Sequence, residues 1–212
     1  MRIVVVGAAG MVGSRVVHEA ATRGHDVAAV LRRRRPAAPP PPGVTYVEGD
    51  ATDRGALRRL FDGTDAVVAA TRPAPGYEHT VTATTTSLLD AAATAGTRVL
   101  VVGGAGPLRS PGRPDRLVLD DPEYVPAAWR TIAAASVAQL DACRRHPADW
   151  VYLSPPAILE PGTRTGSYRR GTTTLVTDAD GASRISAEDL AVAVLDELEN
   201  PRDDRHFTVG YR

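Results

Sequence analysis

Three evenly spaced glycines join an apolar run to an amphipathic segment at the start of this chain. Residues 2–6 form a continuous β-branched run, which predicts a strand buried on both faces. Residues 11–23 carry apolar side chains at helical spacing. Gly7, Gly10 and Gly13 occupy the G-x-x-G-x-x-G turn between the strand and the helix. A strand, a glycine turn and a helix in this order predict the first βαβ unit of a parallel α/β sheet.

The same alternation of short apolar runs and helical segments continues to about residue 153. It predicts strands at residues 26–31, 44–47, 65–70, 98–102 and 150–153, with helices at 11–23, 56–61, 80–95 and 127–145. We therefore expect an α/β fold of the Rossmann type, a doubly wound parallel sheet. The length of 212 residues predicts a single domain.

The pattern changes after residue 153, where residues 154–212 are expected to contribute a small substrate-covering region. Residues 166–170 and 174–177 predict a β-hairpin or a pair of short strands. Residues 186–199 predict a helix with a capping box, with Ser186 at the N-cap and Asp189 three positions later. Residues 206–209 predict a last strand.

Composition excludes several kinds of chemistry. The chain contains no lysine, so all 25 basic residues are arginines and no mechanism can use a lysine amine. The formal net charge is zero, so no nucleic-acid or membrane partner is expected, and the partner should be a small-molecule acceptor. The single cysteine, Cys143, forms no intramolecular disulfide, and the histidines lack metal-ligand spacing. No apolar run reaches the ~20 residues of a membrane span, which predicts a soluble, cytoplasmic protein of undetermined oligomeric state.

The glycine turn predicts a dinucleotide site. Gly7 allows the tight turn, Gly10 allows the backbone to approach a pyrophosphate, and Gly13 allows the helix to pack closely on the strand. The free N–H groups at the helix N-terminus would then face the phosphates. The expected contacts with the cofactor here are Gly7, Ala9, Gly10, Met11, Val12 and Gly13. The alternative is a glycine-rich turn without a ligand.

The end of the second predicted strand indicates which dinucleotide is bound. NAD sites usually carry a carboxylate there, whereas this chain has Leu31 followed by Arg32 and Arg33. A guanidinium can hold a 2′-phosphate in bidentate fashion, and Arg15 could assist from the first helical turn. We therefore expect NADP(H) rather than NAD(H), with Arg32 the main contact. The alternative is that the four adjacent arginines form a solvated basic loop.

Other strand ends are expected to complete the pocket, because ligands of such sheets lie outside the carboxyl ends of the strands. Asp50 could accept a hydrogen bond from the adenine amino group, or could instead cap the following helix. Small residues at the end of the fourth strand would let the cofactor cross the sheet edge, and the backbone at the end of the strand at residues 150–153 could bind the carboxamide. The expected residues are Asp50, Ala51, Ala69, Ala70, Thr71, Gly103, Gly104, Ser154, Pro155 and Pro156.

Together these motifs resemble the atypical short-chain dehydrogenase/reductases. The chain is most similar to the small NAD(P)H-binding proteins related to biliverdin-IXβ/flavin reductase, to bacterial NADH-flavin reductases and to NmrA-like proteins. The resemblance rests on V-V-V-G-A-A-G-M-V-G, V-V-G-G-A-G, Y-L-S-P-P, P-G-T-R-T-G-S-Y-R, S-R-I-S-A-E-D-L-A and F-T-V-G-Y, and covers nearly the whole chain. It implies a Rossmann fold that binds NADP(H) along Gly7–Gly13 and Arg32.

The chain departs from the usual catalysis of that superfamily, in which a Tyr–Lys pair and a serine protonate a carbonyl. Trp129 and Ala133 occupy the positions expected for tyrosine and lysine, and Gly103-Gly104 replaces the serine. We therefore expect direct hydride transfer to a planar flavin- or quinone-like acceptor, with orientation by the protein and protonation from solvent. The catalytic residue is unknown, and the candidates are Trp129, Tyr152, Tyr168 and His79. Trp129 could equally pack into the core.

Two other functions remain open from the sequence. The missing Tyr–Lys pair is compatible with a tailoring enzyme that acts on a biosynthetic substrate on the same fold. It is also compatible with a regulator that senses NADP(H) without turnover. Oxidation of NADPH by flavins would favour the reductase, whereas binding without turnover would favour the sensor.

Overall fold

The structure is a computed structural model that describes residues 1–32 and 39–212. Its strands are β1 (Arg2–Val6), β2 (Asp26–Leu31), β3 (Val44–Glu48), β4 (Ala66–Ala69), β5 (Arg98–Val102), β6 (Arg109–Ser110), β7 (Arg113–Leu117), β8 (Trp150–Ser154), β9 (Ile158–Glu160), β10 (Arg169–Gly171), β11 (Arg184–Ser186) and β12 (His206–Gly210). Eight of them form the main sheet in the order β10-β12-β8-β5-β4-β1-β2-β3. All pairs in it are parallel except β10 with β12.

Helices cover both faces of this sheet, as the continuous apolar strands require. They are α1 (Met11–Thr22), α2 (Arg54–Phe61), α3 (Val81–Ala95), α4 (Arg130–Arg144) and α5 (Ala187–Glu199). Helices α1 and α5 pack together on one face, and α2, α3 and α4 pack on the other. Side chains alternate between the two cores along each strand, so that Ile3 and Val5 lie beneath α1 while Val4 and Val6 face the opposite layer. The predicted doubly wound parallel sheet is confirmed.

The C-terminal segment completes the main sheet. Strand β12 pairs with β8 in parallel, and α5 begins as predicted, because the Ser186 hydroxyl accepts a hydrogen bond from the Asp189 N–H at 3.0 Å. The predicted hairpin of residues 166–170 with 174–177 is wrong. Residues 169–171 pair antiparallel with β12 instead, and Leu175 is buried in a separate small apolar cluster with Leu108 and Val118.

Two short sheets lie outside the main one. Strands β6 and β7 form an antiparallel pair within the long connection between β5 and α4. Strand β9 pairs in parallel with β11, just before α5. Within residues 1–32 and 39–212, no helix has the length and apolar character that a bilayer crossing requires.

Candidate functional site

The turn after β1 brings three stretches of backbone into contact. Gly7 has a φ of +87°, a left-handed conformation that favours glycine. A Cβ atom at Gly7 would overlap the Ala70 carbonyl oxygen just beyond β4, and one at Gly13 would overlap the Gly7 carbonyl oxygen. Gly13 thus allows α1 to approach β1, as the spacing predicted. The turn is shaped by backbone alone and leaves no room for side chains at these two positions.

Gly10 differs from the other two glycines because it faces outward. It is the N-cap of α1, with a φ of −74°, and no side chain caps the helix. Ala9, Gly10 and Met11 are exposed, and the first turn contains no acidic residue. The first N–H groups of α1 and the positive end of its dipole therefore face solvent, which suits a bound pyrophosphate.

The predicted basic contacts separate in the structure. Arg32 is exposed directly after β2, and β2 is joined to the glycine turn because the Ala8 N–H donates to the Val30 carbonyl at 3.3 Å. Arg33 lies outside the described residues. The Arg15 Nε donates to Glu188 Oε1 of α5 at 2.9 Å, so a carboxylate already neutralises its charge. Of the two predicted arginines that the structure describes, Arg15 is thus paired with a carboxylate, and Arg32 is exposed at the end of β2.

The strand ends beside the turn are small or polar. Asp50 is exposed, and its Oδ1 accepts hydrogen bonds from the N–H and the hydroxyl of Thr52, both at 2.8 Å. The cap of α2 is Asp53 instead, which accepts from the Ala56 N–H at 2.9 Å. Partly buried Ala51, Ala70 and Thr71 and buried Ala69 line the same edge, in the order the sequence predicted.

The glycines after β5 lie against side chains. A Cβ atom at Gly103 would overlap the ring and hydroxyl of Tyr152, and one at Gly104 would lie 3.0 Å from the Cβ of Ser136 on α4. The space that a serine would need after β5 is thus occupied by Tyr152. Gly103 and Gly104 remain partly exposed and form a flat, small surface at the edge of the sheet.

The residues at the end of β8 are less accessible than their predicted role requires. Ser154, Pro155 and Pro156 are all buried, and the Ser154 hydroxyl lies 2.9 Å from Nε2 of His206. Burial lowers the pKa of His206 to about 4, so the ring is neutral near pH 7. Its Nδ1 is buried and finds no hydrogen-bond partner within the described part of the chain. Only the backbone of this segment could contact a carboxamide.

Two of the four catalytic candidates are occupied by other contacts. The Tyr152 side chain is fully buried, and its hydroxyl donates to the Ser136 carbonyl at 3.0 Å or to Gln139 Oε1 at 3.1 Å. Burial also raises the Tyr152 pKa far above its usual range, so the hydroxyl is a poor acid and is out of reach of an acceptor. The Tyr168 hydroxyl donates to Asp196 of α5 at 2.6 Å, and burial raises its pKa as well.

The other two candidates, Trp129 and His79, are exposed and lie on segments next to α4. Trp129 directly precedes α4 and is 56% exposed, which excludes the core-packing alternative. His79 is exposed in a short 3-10 turn before α3 that packs against α4, and its ring lies 6.2 Å from that of Tyr77.

Three residues of the site have no motif in the sequence. Arg72, two residues beyond Ala70, places its guanidinium carbon 5.8 Å from the centre of the Trp129 ring. Glu188 pairs with Arg15, and His206 contacts Ser154. Each contact joins segments at least 52 residues apart, so no local spacing could have indicated them. Composition gave one indication of Arg72: because the chain has no lysine, a permanently charged basic group in the site must be an arginine.

The model of a family described as NAD(P)H-binding matches residues 7–201. The chain belongs to this NAD(P)H-binding family. The match starts at the first glycine of the turn and extends beyond α5, so the family covers both the cofactor edge and the C-terminal segment. The family resemblance of the sequence motifs is confirmed.

Solved structures similar to this family member share its fold along the whole chain. A candidate exported protein from Burkholderia pseudomallei is 37% identical, with a TM-score of 0.85 and coverage of 100% of both chains. A candidate epimerase from Bacteroides thetaiotaomicron is 36% identical, with a TM-score of 0.87 over 99% of this chain and 96% of that one. A candidate NADH-flavin reductase from Streptococcus pneumoniae is 28% identical, with a TM-score of 0.88 and coverage of 100% of both chains.

The residues present fit a nicotinamide dinucleotide. The test is the turn after β1, where Gly7 and Gly13 allow backbone contact and Gly10 leaves the start of α1 uncovered. Gly7, Gly10, Met11 and Gly13 would hold the pyrophosphate, because N–H groups and a helix dipole favour anions there. Gly103 and Gly104 provide the small surface at the other end of the site.

Proposed function

We propose that this protein is an NADP(H)-dependent oxidoreductase whose acceptor is a planar conjugated ring, flavin-like or quinone-like. Membership of the NAD(P)H-binding family supports the cofactor, and the likeness to a candidate NADH-flavin reductase supports the reaction class. The preference for NADP(H) rests on exposed Arg32 directly after β2, where a carboxylate would repel a 2′-phosphate.

The observation that carries this proposal is the contact between Gly103 and Tyr152. A serine after β5 would collide with the Tyr152 ring, and Tyr152 itself is buried with a raised pKa. The lysine of the usual pair is missing from the sequence. Without this serine and the Tyr–Lys pair, a simple ketone would lack the usual proton donors as its oxygen gained charge. A conjugated ring spreads that charge over its own atoms and needs no such acid.

The protein would then act by binding and orientation. The cofactor supplies a hydride when it is bound and reduced. The glycine turn and α1 hold its phosphates, Arg32 selects the 2′-phosphate, and Gly103 with Gly104 lets two flat rings approach each other. Protons can reach the reduced acceptor from solvent, because Trp129 and the surface around it are exposed.

The test is oxidation of NADPH by the purified protein with FMN, FAD, riboflavin and a simple quinone as separate acceptors. We expect saturable oxidation with at least one acceptor, faster with NADPH than with NADH at equal concentrations. Gly10→Val is the matched control, because its side chain would cover the start of α1 without the overlaps that Gly7 and Gly13 would produce. It should fold and should lose cofactor binding and turnover together.

Failure of every acceptor would contradict the proposed reaction. If such samples still bound NADPH, measured by its fluorescence, two alternatives would remain. One is a tailoring enzyme with a specific pathway substrate, which the likeness to a candidate epimerase supports. The other is a regulator that binds NADP(H) without turnover.

A further inference from the structure

An exposed arginine and an exposed tryptophan face each other at the acceptor end of the site. The guanidinium carbon of Arg72 lies 5.8 Å from the centre of the Trp129 ring. Trp129 is 56% exposed, and Arg72 is exposed as well. A large aromatic side chain that is more than half exposed leaves much apolar area in water, a cost that a stacked ligand would remove.

The position of the pair follows from the glycine contacts on either side. The Ala70 carbonyl lies against Gly7. The segment after β4, in which Arg72 is two residues beyond Ala70, therefore begins next to the turn after β1. The start of α4 lies against the glycines after β5, because a Cβ atom at Gly106, two residues beyond Gly104, would overlap the Ala133 carbonyl oxygen. Trp129 is one helical turn before Ala133. The pair therefore spans the gap between the ends of β4 and β5, where the nicotinamide end of a dinucleotide lies in such sheets.

The charge of Arg72 is available to a ligand, whereas nearby charges are engaged. Arg72 forms no ion pair with any carboxylate in residues 1–32 and 39–212. Arg130, next to Trp129, pairs with Asp120 at 2.7 Å. An anion that reached Arg72 would thus meet a guanidinium that is not already paired with a carboxylate of residues 1–32 and 39–212.

We propose that Arg72 and Trp129 form the acceptor subsite and that the acceptor is a planar ring whose substituent carries a phosphate. The ring stacks on the indole of Trp129, and the phosphate accepts hydrogen bonds from the Arg72 guanidinium, which binds phosphate in bidentate fashion. This inference rests on the proposed function, which requires a planar acceptor but not a charged one. It assigns acceptor specificity to a residue outside the glycine motifs.

FMN and riboflavin provide the test, because they share one ring and differ by one phosphate. Dissociation constants would be measured by quenching of flavin fluorescence in the presence of excess NADP⁺, so that no turnover is needed. The wild-type protein should bind FMN about five- to tenfold more tightly than riboflavin, the range expected for a partly exposed charge-assisted contact. Added salt should reduce this preference, because it screens exposed charges.

Three variants separate the two roles. Arg72→Gln should weaken FMN binding to the riboflavin level and leave riboflavin unchanged. Trp129→Ala should weaken both flavins by a similar factor, and Trp129→Phe should restore part of that binding. Arg58→Gln is the matched control, since it removes an exposed arginine of α2 that has no part in the site. Thermal melts would confirm that each variant is folded.

The outcomes distinguish this inference from the proposed function. Equal affinity of the wild-type protein for FMN and riboflavin, or an equal loss of both in Arg72→Gln, would overturn the phosphate subsite. A phosphate preference without NADPH oxidation would support the subsite and contradict the reaction. Where turnover occurs, Arg72→Gln should raise the KM for FMN and leave its kcat unchanged, because the contact is made away from the reacting ring.

Discussion

The two glycine-rich turns at the carboxyl edge of the sheet differ in what lies against them. After β1, Gly7 and Gly13 are in contact with backbone atoms, namely the Ala70 and Gly7 carbonyl oxygens. After β5, Gly103 is in contact with a side chain, the ring of Tyr152. A backbone carbonyl is present whatever the residue, whereas a side chain can be removed by mutation. Glycine is therefore required after β1 by the backbone itself, but glycine at residue 103 is required only while residue 152 carries a large side chain.

The helices that flank these turns are held by different forces. On the α1 side, Glu19 accepts hydrogen bonds from Arg164 at 2.7 and 2.8 Å and from Arg23 at 2.9 Å. On the α4 side, neutral groups meet in the core, where Tyr152 contacts Gln139 and Gln139 donates to Thr85 at 3.1 Å. The first side is thus charged and sensitive to acid, and the second contains a neutral hydrogen-bond chain.

The largest effect is expected at the backbone-packed turn. Gly13→Val should prevent folding or lower the melting temperature so far that little soluble protein remains, because the new Cβ would overlap the Gly7 carbonyl. Gly10→Val has its nearest neighbour at 3.2 Å and a φ open to any residue, so it should fold and lose only cofactor binding. Melting curves and NADPH titrations would separate the two. A Gly13→Val variant as stable as wild type would remove the contrast between the turns.

A smaller loss of stability, which a second substitution should partly restore, is expected at the turn after β5. Gly103→Ser should lower the free energy of unfolding by about 1–3 kcal/mol, the usual cost of forcing extra atoms into a packed core. Tyr152→Leu removes the ring atoms that the serine would meet. The double variant should therefore be less destabilised than the sum of the single variants, measured by urea unfolding. Simple additivity would mean that Tyr152 is not what excludes a side chain at residue 103.

Cofactor choice should depend on Arg32, which follows β2 beside the first turn. Arg32→Glu should weaken NADPH binding about ten- to a hundredfold, since it exchanges a charge-assisted contact for repulsion. NADH binding should change little, because NADH lacks the 2′-phosphate. Arg32→Gln is the intermediate control, without the repulsion. Equal losses for both cofactors would show that Arg32 does not recognise the 2′-phosphate and that the preference for NADP(H) arises elsewhere.

The features that the sequence predicted are those that depend on a local pattern of residues. The β-branched runs gave the bounds of β1, β2 and β5, and the glycine spacing placed the dinucleotide edge, because both signals lie within one or two adjacent elements. Contacts between distant segments were not predictable in this way. Residues 169–171 pair with residues of β12 that lie 37 to 41 positions later, so turn residues could not distinguish the expected hairpin from this pairing.

The roles of individual side chains were likewise not predictable where they depend on contacts between distant segments. Arg15 was expected to face the cofactor, but its partner Glu188 lies 173 residues away in sequence. Tyr168 is likewise bound by Asp196 of α5, which no spacing indicates. Trp129 could be placed at the start of a helix but not on its exposed side, since the amphipathic pattern of α4 begins only after it. Arg72 belongs to no motif and became visible only through its ring contact.

The smallest expected effect is a change of stability with pH, which should be found for the charged contacts beside α1 and not for the neutral contacts beside α4. Hydrogen bonds from Arg164, together with those from Arg23, hold the Glu19 pKa at about 2 despite burial, below its usual value of 4.5. Because the folded pKa is depressed, this contact stabilises the fold above about pH 4.5 and is lost as the pH falls towards 2. Arg164→Gln should therefore cost at most about 1 kcal/mol at neutral pH, given its exposed side chain, and less in acid.

Thr85→Val is the matched variant on the α4 side. It removes the acceptor of the Gln139 amide, a neutral contact, so its cost should stay constant across the same pH range. Urea unfolding of both variants and the wild type between pH 7 and about pH 2 would measure the two costs. Curves for Arg164→Gln that approach the wild type in acid, beside parallel curves for Thr85→Val, would assign the acid-sensitive contact to the α1 side. If the Arg164→Gln curve stayed parallel to the wild type down to about pH 2, Glu19 would not be the group that titrates, because its protonation weakens the advantage of an arginine over a glutamine partner.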